Sequence, residues 1–150
     1  MVGLVGELTR RGFAVSVIKH AHAKFEIDHE GRDSYKMREA GACQVTLSSP
    51  KRFALMRELG DASELSFADI VSYVGPCDLV LIEGYKREAF PKIEIRRVGA
   101  VSREPLQGMF PQIVAIASDR REDGALPMFA LNDIKGIADF IIATVGLKAK

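Results

Sequence analysis

The sequence of 150 residues predicts an α/β fold: a mostly parallel sheet with helices on both faces. Three observations lead there. Largely apolar runs stand at 13–18 (FAVSVI), 78–82 (DLVLI) and 113–117 (IVAIA), and continuous rather than alternating hydrophobicity marks strands covered on both faces. Segments with helical spacing lie between these runs, which is the alternation of βα units. Each run also stops on polar residues: Lys19-His20-Ala21-His22, Glu83-Gly84-Tyr85-Lys86 and Ser118-Asp119-Arg120. In open parallel sheets, ligands collect beyond the carboxyl ends of the strands.

The elements follow in chain order. Val2, Leu4, Val5 and Leu8 sit at helical spacing, and Gly12 closes that segment as a C-terminal cap. The strand at 13–18 comes next. Residues 33–40 (DSYKMREA) read as a short helix with Asp33 or Ser34 as N-cap and Gly41 as stop. QVTLSS and FALMRE flank a Ser49-Pro50-Lys51-Arg52 turn and form a hairpin. Residues 66–73 are helical and end before Gly75-Pro76. After the strand at 78–82, KIEIRR (92–97) and IVAIA (113–117) are further strands. The last helix shows Ile134, Ile137, Ala138, Ile141 and Val145 on one face, with Asn132 or Asp133 as N-cap and Gly146 after its end. With no repeat or low-complexity linker, residues 1–150 read as a single domain.

Composition narrows the class. The chain has 47% hydrophobic and 27% charged residues, the profile of a folded globular protein. Its net charge of +1 gives no electrostatic footprint for nucleic acid. No apolar run approaches the roughly 18 residues of a membrane span, and the N-terminus lacks the order of a signal peptide. Cys43 and Cys77 are far apart, which reads as two small buried thiols in a reducing, cytoplasmic setting.

Glu83 and Gly84 raise the chemical question. A carboxylate just past a buried strand can hold a magnesium-bound water or orient a water beside a phosphate, with Gly84 letting backbone approach the ligand. The plainer reading pairs Glu83 with Lys86 or Arg87. His20 and His22, two apart on an extended segment with Asp28 and His29 nearby, suit a polar site rim, a metal site or plain surface. Asp33 and Ser34, with Arg32 and Lys36, offer an anion site at a helix start, or only a capped surface helix. Asp119 can pair with guanine N1 and N2 and so discriminate against adenine, or merely begin a loop.

VIKHAHAKFEIDHEGRDSYKMREAGA, SSPKRFALM, DLVLIEGYKREAFPKIEI, IVAIASD and LNDIKGIADFI succeed one another in this order. Together they resemble the molybdopterin-guanine dinucleotide biosynthesis protein B family from about Val2 to Thr144. The resemblance implies a P-loop NTPase-like domain, a homodimer, that binds GTP with Mg2+ and is at most a weak GTPase. Its implied role is to assist the guanylyltransferase that completes the molybdenum cofactor. Glu83 becomes the catalytic and magnesium-binding acid, with Gly84 beside it. Asp119 and Ser118 fall to the nucleotide, and Lys19, His20, His22, Asp33 and Ser34 to the region closing over it.

One part of the family pattern has no counterpart. The G-x-x-G-x-G-K-T-T loop, whose amides and lysine wrap phosphates, and the strand before it do not occur. Met1-Val2-Gly3-Leu4 reads as the middle of the helix that should follow, so the natural product is expected to start upstream. Two alternatives to a GTP-binding accessory protein therefore stand beside it: a nucleotide-free adaptor, and a metal-delivery protein using His20 and His22.

Overall fold

Leu8 has no exposed surface at all, and the first helix forms around burying it. The structure is a computed structural model that describes residues 1–22, 25–100, 105–120 and 124–148. The elements in chain order are α1 (Val2–Arg10), β1 (Val15–Lys19), α2 (Asp33–Glu39), β2 (Gln44–Ser48), β3 (Phe53–Arg57), α3 (Phe67–Ser72), β4 (Leu79–Glu83), β5 (Lys92–Arg96), β6 (Ile113–Ser118), β7 (Met128–Ala130) and α4 (Ile134–Val145). The chain, expected as a single domain, divides into two compact units: residues 1–20 with 74–150, and residues 21–73.

In the first unit the pairing is wholly parallel: β1 with β4, β5 with β6, and β6 with β7. The three apolar runs therefore do not share one ladder. β1 and β4 form one, and β6 lies in a second between β5 and β7. The runs also differ in cover: β6 is buried along nearly its whole length, whereas Val17 in β1 is 46% exposed, so the run at 13–18 does not mark a strand covered on both faces. Both ladders still feed one core, in which Leu8 of α1, Leu81 of β4, Ala117 of β6 and Ile137, Ala138 and Ile141 of α4 pack together with Phe13. α1 and α4 are in direct contact.

Strand β1 starts two residues later than expected. Phe13 is taken into the core, 5% exposed, and Ala14 is fixed by a reciprocal bond. Its N–H donates to the Asp78 carboxylate at 2.7 Å, and the Asp78 N–H donates to the Ala14 carbonyl at 2.8 Å. This latch sets the register that places Lys19 opposite Glu83. Asp78→Ala removes a charge-assisted bond and is expected to cost about 1.5 kcal/mol; urea unfolding measures it, and an unchanged midpoint would remove the latch from the account.

β7 was not anticipated. Three residues are too few for a period to show, and only its pairing with β6 defines it. At α4 the choice of cap resolves to Asp133, whose carboxylate accepts from the Gly136 N–H at 3.0 Å. Gly146, at φ 69°, closes the helix in the left-handed conformation.

In the second unit, β2 and β3 pair antiparallel as the predicted hairpin. The Ser49 hydroxyl oxygen accepts from the Lys51 and Arg52 N–H groups and holds the turn. Helix α3 carries a full capping box between Ser66 and Asp69. At α2 the cap position is Arg32, without a side-chain cap, and not Asp33 or Ser34, which are already helical. Cys43 is exposed and Cys77 half-buried, so the expected burial of both thiols does not hold. Among the described residues no helix is long and apolar enough to cross a membrane.

Candidate functional site

The parallel register of β1 and β4 brings their carboxyl ends side by side. Lys19 and Glu83 are direct partners across it, and Lys19 Nζ lies 3.1 Å from Glu83 Oε1. The acid's partner is thus a lysine from the neighbouring strand rather than Lys86 or Arg87. Both side chains are largely open to solvent, at 65% and 49% exposure, so the pair is held loosely and either member can turn to a ligand. The ladder continues one step further, with the His20 N–H donating to the Glu83 carbonyl at 2.9 Å.

At Gly84 the chain reverses with φ 98°. A Cβ placed there would lie 2.6 Å from the His20 Cβ. What approaches Gly84 closely is therefore the neighbouring strand, and only glycine admits it. Tyr85 follows at φ 49°, the single non-glycine residue with positive φ among those described. This double left-handed turn brings the Tyr85 ring to the His20 ring, with centroids 4.9 Å apart and planes inclined by 31°. The Glu88 N–H donates to the Tyr85 carbonyl at 3.1 Å. Beyond it Lys92 folds back, donating to the carbonyls of Glu88 and Phe90 and lying 3.9 Å over the Phe90 ring. Burial pushes its ammonium below the usual lysine range.

Magnesium takes one or two protein carboxylates and draws its other ligands from water and phosphate. Glu83, half-exposed at the strand tip, is a carboxylate of the kind that could hold such an ion through water. Among the described residues there is no group of three or more His, Cys, Asp or Glu side chains that could hold a metal.

The other ladder ends at Ser118 and Asp119. Ser118 is 3% exposed, and its hydroxyl oxygen accepts from the Arg120 N–H at 3.2 Å. Both Asp119 carboxylate oxygens accept from the Val98 N–H, at 3.1 and 3.0 Å. Asp119, offered by the sequence to a guanine, and Ser118, offered to the nucleotide, thus carry loop and turn bonds here. Arg96, at the end of β5, is committed to Glu94 at 3.0 Å, and Arg121 lies outside the described residues.

His22, Asp33 and Ser34 belong to the second unit. Asp33 is almost fully exposed and faces Lys36 at 4.0 Å. Ser34 is buried, with the Asp28 carboxylate nearby. Asp28 in turn is gripped by Arg38 through two nitrogens, at 2.9 and 3.2 Å. That guanidinium holds the Asp28 carboxyl below its usual range, and Arg38 also reaches Glu26 at 3.1 Å and Glu58 at 2.8 Å. The sequence names Asp28 and Tyr85, but neither the grip of Arg38 on its acids nor the backbone angle of Tyr85 has a signal there. Arg38 lies ten or more residues from its acids, and a tyrosine's backbone angle leaves no trace in composition.

The chain has relatives among known proteins. The family model described as molybdopterin guanine dinucleotide synthesis protein B matches residues 1–119. The molybdopterin-guanine dinucleotide biosynthesis adapter protein of Escherichia coli K12 is 36% identical over 141 residues, covering 93% of this chain and 81% of that protein. Its Haemophilus influenzae counterpart is 37% identical over 138 residues, covering 92% and 76%. The crystal structure of a MobB protein homolog from Bacillus stearothermophilus superposes with a TM-score of 0.68 at 22% identity, covering 99% of this chain and 88% of that one. The extent of the family match and these identities establish that the chain belongs to the molybdopterin guanine dinucleotide synthesis protein B family, with its α/β, P-loop NTPase-like fold.

Proposed function

We propose that the chain is an adapter in molybdopterin guanine dinucleotide biosynthesis that binds magnesium–GTP at the tips of β1 and β4 and assists the guanylyltransferase, acting as a homodimer. The observation that carries the GTP-binding part is the Lys19–Glu83 pair, 3.1 Å apart at adjoining strand ends and open to solvent. A lysine and an acid at that place are what a phosphate–magnesium complex needs: Lys19 for a phosphate oxygen, Glu83 for the metal or its water. His20 adds a ring nitrogen at the same tip, and Gly84 keeps the two strand ends close. Asp119 and Ser118 serve the guanine end. His22, Asp33 and Ser34 serve the segment that follows β1. Any hydrolysis is slow, and the chain's main work is binding.

Calorimetric titration with magnesium–GTP, and with ATP as control, tests this. GTP is expected to bind, with ATP roughly a hundredfold weaker because its base leaves the guanine acceptor unpaired. Glu83→Gln is expected to weaken GTP roughly tenfold through the lost charge. An absence of GTP binding overturns the nucleotide reading. In its place would stand the nucleotide-free adaptor, which one observation favours: both Asp119 oxygens are already engaged by Val98. In that case pull-down of the guanylyltransferase should persist without nucleotide.

A further inference from the structure

We propose that the turn at residues 97–100 is an autoinhibitory strap: its Val98 amide occupies the Asp119 carboxylate that a guanine base needs, and the arriving base displaces it. The inference deepens the function proposed above and rests on its assignment of Asp119 to the base.

The carboxylate is filled from the side that matters. The Val98 nitrogen lies 3.1 Å from Asp119 Oδ1 and 3.0 Å from Oδ2. A donor equally far from both oxygens stands on the bisector of the carboxylate, the place of a bidentate partner. Guanine N1–H and N2–H would approach on that same side, one donor to each oxygen, so the amide and the base exclude one another. The exchange favours the base, because one N–H shared between two oxygens gives way to two separate bonds.

The turn is built to leave. The Ala100 N–H donates to the Arg97 carbonyl at 3.1 Å, so residues 97–100 close as a β-turn whose own bond survives displacement. Val98 is 58% exposed, and its side chain gives the turn little anchorage. Asp119 is itself exposed, just past the carboxyl end of β6, where ligands of parallel sheets collect. The contact that favours a nucleotide-free adaptor thus becomes the off state of a nucleotide site.

Val98 is the second residue of its turn, the position where proline is favoured, so Val98→Pro removes the amide donor and keeps the turn. Calorimetric titration with magnesium–GTP, and with ATP, compares it with the parent. Val98→Pro is expected to bind GTP roughly tenfold tighter and ATP no differently, and Asp119→Ala in the same background should abolish the gain. In the parent, the Val98 amide proton signal, held downfield by the carboxylate, should move upfield as GTP is added, a reading that needs no variant. GTP binding no tighter in Val98→Pro than in a parent that binds it overturns the strap and leaves the nucleotide reading standing. So does a gain shared by ATP, or an amide signal unmoved at saturating GTP. GTP bound by neither chain overturns both.

Discussion

Gly84→Ala is expected to lower the unfolding free energy by about 3 kcal/mol, the sum of two separable costs. The first is conformational. At φ 98° an L-residue sits in a region it rarely adopts, at a cost of about 1–2 kcal/mol. The second is steric. The new methyl would stand 2.6 Å from the His20 Cβ, an atom fixed by the backbone of β1 that no rotamer change can remove. The tips of β1 and β4 must then part, which also breaks the bond from the His20 N–H to the Glu83 carbonyl. Gly108→Ala supplies the control, since Gly108 has φ 94° but nothing within 4 Å of its would-be Cβ. It should show the conformational cost alone. Equal losses in urea unfolding for the two variants would remove the steric claim and, with it, the reason for glycine at this tip.

That contrast shows where sequence reading stops. The run LVLI followed at once by Glu83 and Gly84 is enough to put an acid at the end of a buried strand, and IVAIA followed by Ser118-Asp119 does the same for β6. Both placements hold. Register is another matter: nothing in either run says that Lys19 stands opposite Glu83, because pairing is decided by a latch between Ala14 and Asp78, 64 positions apart. Glycine at 84 suggested room for a ligand, whereas the room is taken by His20. Asp119 suggested a base contact, and its oxygens meet an amide 21 positions upstream. Local patterns report faces and ends. They are silent on which distant backbone group has already claimed a side chain.

Glu94 makes the same point with a larger consequence, and Glu94→Ala is expected to cost about 3 kcal/mol. In KIEIRR the acid reads as the polar side of an ordinary strand, yet it is 6% exposed. Its carboxylate accepts from the Leu106 N–H at 2.9 Å, the Gln107 N–H at 3.1 Å and Arg96 Nη2 at 3.0 Å. Truncation leaves a charge and two amides short of an acceptor away from water, and a broken buried pair costs more than the intact one supplied. Burial pushes the Glu94 carboxyl up, but Arg96 and the two amides outweigh it, so that it titrates below its ordinary 4.5. The native state thus favours the charged form. Its contribution is complete above about pH 4.5 and is lost as the pH falls through the lower, folded value. Glu94→Gln cannot take part in that titration. It should be less stable than the parent at pH 7, and the gap should close as the pH is lowered through 4 toward 3. A gap that stays constant over this range would mean that shape rather than charge holds residues 106 and 107 to the sheet.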